Sequence, residues 1–466
     1  MSDVAYLGIA DAAKLIRNRK LSSVEYTTNL LQRVERHDAT IHAFIKLMPE
    51  HALTQARQAD AEIAAGRWRG PLHGVPYALK DIIDVEGQPT TAHSKILIDN
   101  VAARNAPVEE KLKAAGGVLL GKLSTHEFAI GGPSFDLPWP PARNPWDPKR
   151  LPGGSSSGSA AGLAAGFFPA ALGTDTGGSV RNPAGFCGIT GMKPTYGRVS
   201  RRGVVPLAYS MDHVGPMTRT VRDNALLLQI IAGHDPADPA SADEPVSDYS
   251  APLALGAKGL KVGVIRHFYA KDLDGGPEQT AIIEGAVNIL AEHGAEIREI
   301  QLPPLQDLVA CGQIMLAAEA FAVHEHWLKE RPQDYGARGR ERLLAGSALR
   351  ASDYLQATRW RTKLRDSVAV AFRDVDVAIT GTSLDPACLI DDAEALGALY
   401  WRQLLMPFNV TGQPALAIPA GFSQGGLPLS VQIVGHPFGE ATVYRAAQVY
   451  EAATDWTKRH PPGLIG

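Results

Sequence analysis

The sequence predicts an α/β protein in which strands and helices alternate along one chain. Three observations carry that expectation. LKVGVIR, QTAIIEGAVNILAEHGA and AEIREIQLP read in succession as strand, helix and strand, a rhythm that points to an α/β sandwich with at least partly parallel pairing. VEEKLKAAGGVLLGKL reads as a helix, a turn at Gly116-Gly117 and a strand. DVAITG, QPALAIPAGF and LSVQIVG restore strands before a closing helix, ATVYRAAQVYEAAT, with LSVQIVG the expected interior strand.

Residues 8–66 read as helical. AKLIRNRKLSSVEYTTNLLQRVERH carries apolar residues at three-to-four spacing, with Ser22-Ser23-Val24-Glu25 as a cap for its second helix, and HALTQARQADAEIAAG ends at Gly66. GPLHGVPYALKDIIDVEG is short, apolar and punctuated by Gly and Pro, as buried strands are. Residues 140–220 are rich in Gly, Ser and Pro yet poor in charge, unlike a solvated linker, which suggests backbone packed close to a site. HDPADPASADEPVSDYSAP is the expected surface connection, and 305–373 reads as mainly helical. No internal repeat or low-complexity tract is present.

Composition narrows the function classes. The chain has 466 residues, 45% of them hydrophobic, enough to bury a large core. Net charge is −3 with no Lys/Arg-rich run, so neither nucleic acid nor an anionic membrane is an expected partner. Cys187, Cys311 and Cys388 lie far apart without CxxC spacing, which fits a reduced, cytoplasmic-type protein without a disulfide frame. The first residues show no charged n-region followed by an apolar h-region and no window reads as the roughly 20 apolar residues of a membrane span, so neither export nor a membrane span is expected. His324 and His326 form an HxH, but on a helix positions i and i+2 face apart, so no metal site is expected.

Two serine motifs compete for the chemistry. Gly154-x-Ser156-x-Gly158 matches the pattern of a hydrolase nucleophile elbow, which needs a buried strand before it. ARNPWDPKRLPGG, with its prolines, cannot supply one. In ALGTDTGGSVRNPAGFCG the run FFPAALG is a credible strand, followed by the turn Thr176-Gly177-Gly178-Ser179. Two glycines before a serine let successive N–H groups converge on one point, as an oxyanion requires. A glycine-rich turn capping the next helix reads equally well from spacing alone. Neither motif contains a histidine base. Lys80, however, follows an apolar run, and a buried lysine loses charge solvation and becomes a base near neutrality. For a lysine taken alone, pairing with Asp81 or Asp84 is the plainer reading.

Together these pieces resemble the amidase signature family. GGSSSGSAAGLAAG, GTDTGGSVRNPAGFCGITGMKPTYGRVSRRGVVPLAYSMDHVGPMTRTV, GVPYALKDIIDVEG and FNVTGQPALAIPAGFSQGGLPLSVQIVG carry the likeness, which is thinner between about 236 and 400. It implies one α/β/α unit, 1–466, on a large mixed twisted sheet with helices on both faces. Within it, 8–66 would be N-terminal helices, 71–235 the catalytic core and 236–258 a surface connection. Residues 259–405 would form a variable pocket region and 406–460 the last strands and helix. It further implies Ser179 as the nucleophile, and Ser155, 24 residues upstream and held by a cis peptide bond, as the proton relay. Lys80 becomes the base, and the N–H groups of Thr176, Gly177, Gly178 and Ser179 the oxyanion hole, with no cofactor or metal.

Around that core, Ser156 is expected to support the relay, with Ser157 and Ser159 as turn and helix-start residues. Asp175 is expected to anchor the loop, and Arg181 to anchor it or to bind a substrate carboxylate. His213 stands where the family often has glutamine. Glu319, His324 and Tyr335 are candidate pocket residues, although a helix's polar face explains them as well. Cys187 reads as a buried structural thiol. The expected activity is hydrolysis of a small carboxamide. The same triad would serve a ureido or carbamate substrate of biuret or allophanate type, or the glutaminase subunit of a tRNA-dependent amidotransferase with its partner. A non-catalytic scaffold needs no such triad, and a membrane-bound fatty-amide hydrolase would want an anchor. A homodimer is what the resemblance makes common.

Overall fold

The computed structural model describes residues 4–464. The helices Ile9–Arg17, Ser23–Ile41 and Pro49–Ala64 form where periodicity places them. Ser22 Oγ accepts from the Glu25 N–H while the Glu25 carboxylate accepts from the Ser22 N–H, satisfying two first-turn donors reciprocally. The 8–66 region is not wholly helical, however. Phe44–Leu47 is a strand, β1, which only long-range pairing could reveal.

The remaining strands are β2 (Pro76–Lys80), β3 (Val118–Leu123), β4 (Ala170–Thr174), β5 (Thr190–Lys193), β6 (Val214–Thr218), β7 (Lys261–Val264), β8 (Glu296–Glu299), β9 (Val377–Gly381), β10 (Ala415–Phe422) and β11 (Pro428–Gly435). They form one eleven-stranded sheet in the order β1-β3-β2-β4-β6-β5-β10-β11-β9-β7-β8. It is mixed: β2 runs parallel to β3 and β4, and β7 to β8 and β9, while the other neighbours are antiparallel. LSVQIVG is interior, as expected, since β11 lies between β10 and β9.

Alternation along the strands places the core on both faces. Tyr77 and Leu79 of β2, and Ala170 and Leu172 of β4, join a cluster with Ile9 and Ile16 of the first helix and Leu228. Ala78 and Ala171 point the other way and join Ala160, Ala161 and Leu163 of the helix Ser157–Ala164. Strands sandwiched in this way are apolar over most of their length, and all five residues of β2 are buried, the terminal Lys80 included. At about 1.5–3 kcal/mol for each large apolar side chain removed from water, this double burial holds rigid the strand ends that carry polar groups.

One further expectation needs correcting. The helix Leu305–Glu330 is long and apolar enough to cross a membrane by length and composition. In the structure it packs on the helices Ala351–Ala371 and Met406–Thr411 and buries Leu308, Cys311, Met315, Ala320 and Leu328. Residues 234–250 form no regular element and are mostly exposed or half-buried, with ties to the body of the fold. Asp238 is buried and accepts from the Arg201 N–H, and Ala242 N–H donates to Gly197 O.

Candidate active site

Lys80 ends β2 and Thr174 ends the adjacent parallel strand β4, so both side chains emerge at the same carboxyl-end edge, where open α/β sheets bind ligands. Lys80 is fully buried, and its Nζ donates to Ser155 Oγ at 2.6 Å and to Thr174 Oγ1 at 2.8 Å. Asp81 does not pair with it; Asp81 forms a buried ion pair with Lys122 at 2.9 Å. Burial pushes the Lys80 amine down to about 7, against the weaker opposing pull of Asp175 and Asp212.

The serine cluster divides its work along the chain. Ser155 reaches Lys80. Ser156 Oγ is taken up by the backbone of Thr174, accepting from its N–H and donating to its C=O, both at 3.2 Å. Ser159 Oγ donates to Leu172 O and Ser157 Oγ to Ser124 O. The three later hydroxyls therefore stitch the helix Ser157–Ala164 to β4 and to the loop at 124. No strand precedes Ser156, since residues 142–152 make only isolated bridges at Asn144, Asp147 and Arg150. The Gly154-Ser155 peptide is cis. A Cβ on Gly154 would collide with His126 Cε1, so only glycine fits beneath that ring.

Ser179 sits half-buried in the turn after β4, and Ser156 N–H donates to its carbonyl at 3.2 Å, bringing the two serine segments together. Asp175 organises this turn. Its carboxylate accepts from Gly178 N–H at 2.8 Å and Val180 N–H at 3.2 Å, and pairs with Arg181 at 3.0 Å. Although burial alone would raise it, the Arg181 guanidinium holds the Asp175 carboxyl far below the usual range. One expectation changes here: the Gly178 N–H turns back to Asp175 and is not aimed at a ligand. Among the described residues, the N–H groups of Thr176, Gly177 and Ser179 make no hydrogen bond. Gly178 adopts φ 126°, which a side chain would resist.

Arg181 is not a substrate ligand in this arrangement. It is wholly buried, and beyond Asp175 its N–H groups donate to Leu405 O, Gln432 Oε1 and Asn409 Oδ1. His324 and Tyr335 do not line the cavity either. His324 Nδ1 meets Tyr335 Oη at 2.9 Å, and both pack on Phe128 in a buried aromatic cluster. His213 and Glu319 do lie on the wall of a 1090 Å³ cavity that reaches Thr174 and Thr176. Glu319 is held there by Ser210 N–H, Ser210 Oγ and Tyr354 Oη. Ile82, Val204, Val205, Leu207, Tyr196 and Tyr209 make much of the remaining wall, which residues 237–240 help close. Among the described residues no cluster of three or more His, Cys, Asp or Glu side chains is placed to hold a metal ion. Cys187 and Cys311 are free and buried, and Cys388 is free and half-buried.

Thr174, His126, Asn409 and Asp212 are site neighbours that sequence reasoning misses. Thr174 alone carries a signal, as the polar residue closing an apolar strand. The others come from distant loops and helices.

A family model described as Amidase matches residues 25–444. The chain belongs to the amidase family. This amidase is 41% identical to a glutamyl-tRNA(Gln) amidotransferase subunit from Moorella thermoacetica, over 98% of its own length and 99% of the relative's. Among solved structures it resembles a chain of a vestigial protein complex that reveals the evolutionary origins of an s-triazine catabolic enzyme, with a TM-score of 0.90 and 33% identity over 96% and 98% of the two chains. It also resembles the peptide amidase of Stenotrophomonas maltophilia (TM-score 0.86, 30% identity, 98% and 99%) and the corresponding glutamyl-tRNA(Gln) amidotransferase subunit from Thermotoga maritima (0.82, 33%, 97% and 96%). The protein is thus an amide-hydrolysing enzyme on a large mixed sheet, as the sequence predicts.

Proposed function

We propose that the amidase cleaves its substrate through an acyl-enzyme on Ser179, with Ser155 as proton relay and Lys80 as base. The observation that carries this reading is the 2.6 Å line between Ser155 Oγ and a wholly buried Lys80 Nζ. A lysine whose charge is stripped of water is neutral for a useful fraction of the time near pH 7, and then that line passes a proton from serine to amine. Ser179 Oγ attacks the carbonyl carbon and its proton moves to Ser155, whose own proton moves to Lys80. The oxyanion is met by the Thr176, Gly177 and Ser179 N–H groups. As the C–N bond breaks, the nitrogen takes a proton from Ser155, which Lys80 replenishes. Water then attacks the ester along the same path, releasing the acid and restoring Ser179.

Two finer readings share this chemistry. The curated relatives support an amidotransferase subunit, in which glutamine is the amide and a partner chain receives the ammonia. The 1090 Å³ cavity, with its Ile82, Val204, Val205 and Leu207 wall, supports a free-standing hydrolase of larger carboxamides, because a glutamine side chain fills little of it. A ureido or carbamate substrate would use the same groups. One experiment separates them: ammonia and amine release by the purified chain from glutamine, aliphatic and aryl amides, ureides and carbamates, with S179A as control. Robust turnover of a simple amide without a partner supports the free-standing hydrolase. Glutamine hydrolysis that appears only with a co-purified partner supports the amidotransferase reading. Turnover surviving in S179A removes Ser179 as nucleophile.

A further inference from the structure

Two adjacent residues outside the proton relay grip the peptide unit that opens the oxyanion turn. The Asp175 carbonyl and the Thr176 N–H belong to one planar trans peptide, so where the carbonyl points decides where the N–H points, in the opposite direction. That carbonyl accepts from His213 N–H at 3.1 Å and from Asn409 Nδ2 at 3.2 Å and faces His213 Nδ1 at 3.0 Å, while Asp175 N–H donates to His213 O at 2.9 Å. His213 Nδ1 also meets Met211 O at 2.5 Å. With two carbonyls before it, Nδ1 carries the proton, and Nε2 accepts from the buried Lys193 Nζ at 3.2 Å. On the other side of the peptide, Thr176 Oγ1 donates to Asp212 Oδ1 at 2.6 Å, and Asp212 is itself held by Leu207 N–H and Ala208 N–H.

We propose that Asp212 and His213 are positioning residues for transition-state stabilisation, fixing the Thr176 N–H by holding the carbonyl of its own peptide and the hydroxyl of its own side chain. A donor hydrogen-bonded to the carbonyl also polarises the peptide and strengthens its N–H. Asp212 ties the same peptide to Leu207 and Ala208, so the oxyanion turn and the cavity wall are braced by one dipeptide. The inference rests on Ser179 as nucleophile.

The test compares H213L, H213N and T176V with the parent enzyme on one good amide. Asparagine restores an N–H donor near the Nδ1 position, whereas leucine leaves the carbonyl to the residue-213 backbone N–H and Asn409 Nδ2 alone. Losing a whole oxyanion donor costs about 10²–10³-fold in kcat, and a misaligned donor should cost about 10–100-fold, with KM within about twofold. H213N should recover most of that loss. Affinity for a boronic acid that forms a tetrahedral adduct on Ser179 should fall in parallel with kcat/KM, while binding of the carboxylic acid product stays unchanged. H213L with kcat and boronate affinity at parental levels would overturn the inference. So would equal losses of boronate and product binding, which signify collapse of the cavity. If H213L does not fold, T176V, which removes only the hydroxyl held by Asp212, gives the same two readouts. Turnover by S179A would overturn the nucleophile assignment and this inference with it, whereas a dead S179A beside a fully active H213L and T176V would overturn this inference alone.

Discussion

Lys80 Nζ lies 2.6 Å from Ser155 Oγ, with the lysine fully buried and, among the described residues, no carboxylate in ion-pair contact with it. The buried Lys122, by contrast, is paired with Asp81 at 2.9 Å. Of these two buried lysines one meets a carboxylate and the other meets hydroxyls, which is the arrangement the proposed proton relay needs.

Replacing Lys80 with methionine should leave the fold intact and lower kcat/KM by about 10³-fold or more, because the relay loses its base. Steady-state kinetics beside a thermal melt checks both halves. Normal turnover in a folded K80M takes lysine out of the mechanism.

The two neighbouring serines should separate cleanly. S155A should slow acylation by about 10²–10³-fold with little change in stability. S156A leaves the buried Thr174 N–H without its 3.2 Å partner and should cost about 1–2 kcal/mol of stability, with a smaller kinetic effect. Burst kinetics and urea unfolding read the two; a dead S156A beside a normal S155A would reverse the assignment.

The pH dependence follows from the base. Lys80 accepts a proton only when neutral, so kcat/KM should rise with pH through an acid limb centred near 7. The folded value lies below the unfolded 10.5, so the unfolded chain binds this proton more readily. The Lys80 contribution to stability therefore increases as pH rises between about 7 and 10.5, and K80M should flatten that slope. An acid limb near pH 10 would contradict a desolvated lysine.

Arg181 offers a test of structure against recognition. R181M strands the buried Asp175 carboxylate and should destabilise the protein by about 3–5 kcal/mol in urea unfolding. A raised KM confined to anionic amides, with unchanged stability, would instead make Arg181 a substrate ligand.

Gly154 is limited by space. G154A drives a methyl group into the His126 ring and should depress activity by displacing the relay serine. The double variant G154A/H126A should recover part of the loss, and a G154A enzyme at parental kcat would show that the ring yields freely.

Much of this fold is legible in the sequence where a local signal and the tertiary environment agree. The Ser22–Glu25 cap, the apolar β2 and the strand–helix–strand from β7 to β8 are of that kind. β1, β5 and β6 are not. β5 is TGMK and β6 is VGPMT, whose Gly and Pro argue against an interior strand. Pro216 is tolerated because β5 pairs with β6 only at Met217 and Thr218, leaving Pro216 with β4 as its single neighbour. At the site, Lys80, Ser155 and Ser179 stand in recognisable motifs. His324 and Tyr335 suggest a pocket because their polar atoms are visible in sequence, whereas the Phe128 ring that buries them lies about 200 residues away. The Gly178 N–H reads as a free donor for a related reason: a turn's sequence does not reveal that Asp175, three residues earlier, has claimed it.

The groups proposed to make and break the bond lie between residues 80 and 179, at the ends of β2 and β4 and in the turns beside them. The cavity wall is drawn mostly from later chain, 196–214, 237–240 and 319–354. Engine and mould are thus largely separate stretches of one gene, joined at Asp212-His213. Recombination or drift in the rest of the later stretch can recast what enters, and a chimera that keeps 1–190 together with Asp212 and His213 while exchanging the remaining wall segments is the natural unit for redirecting this enzyme.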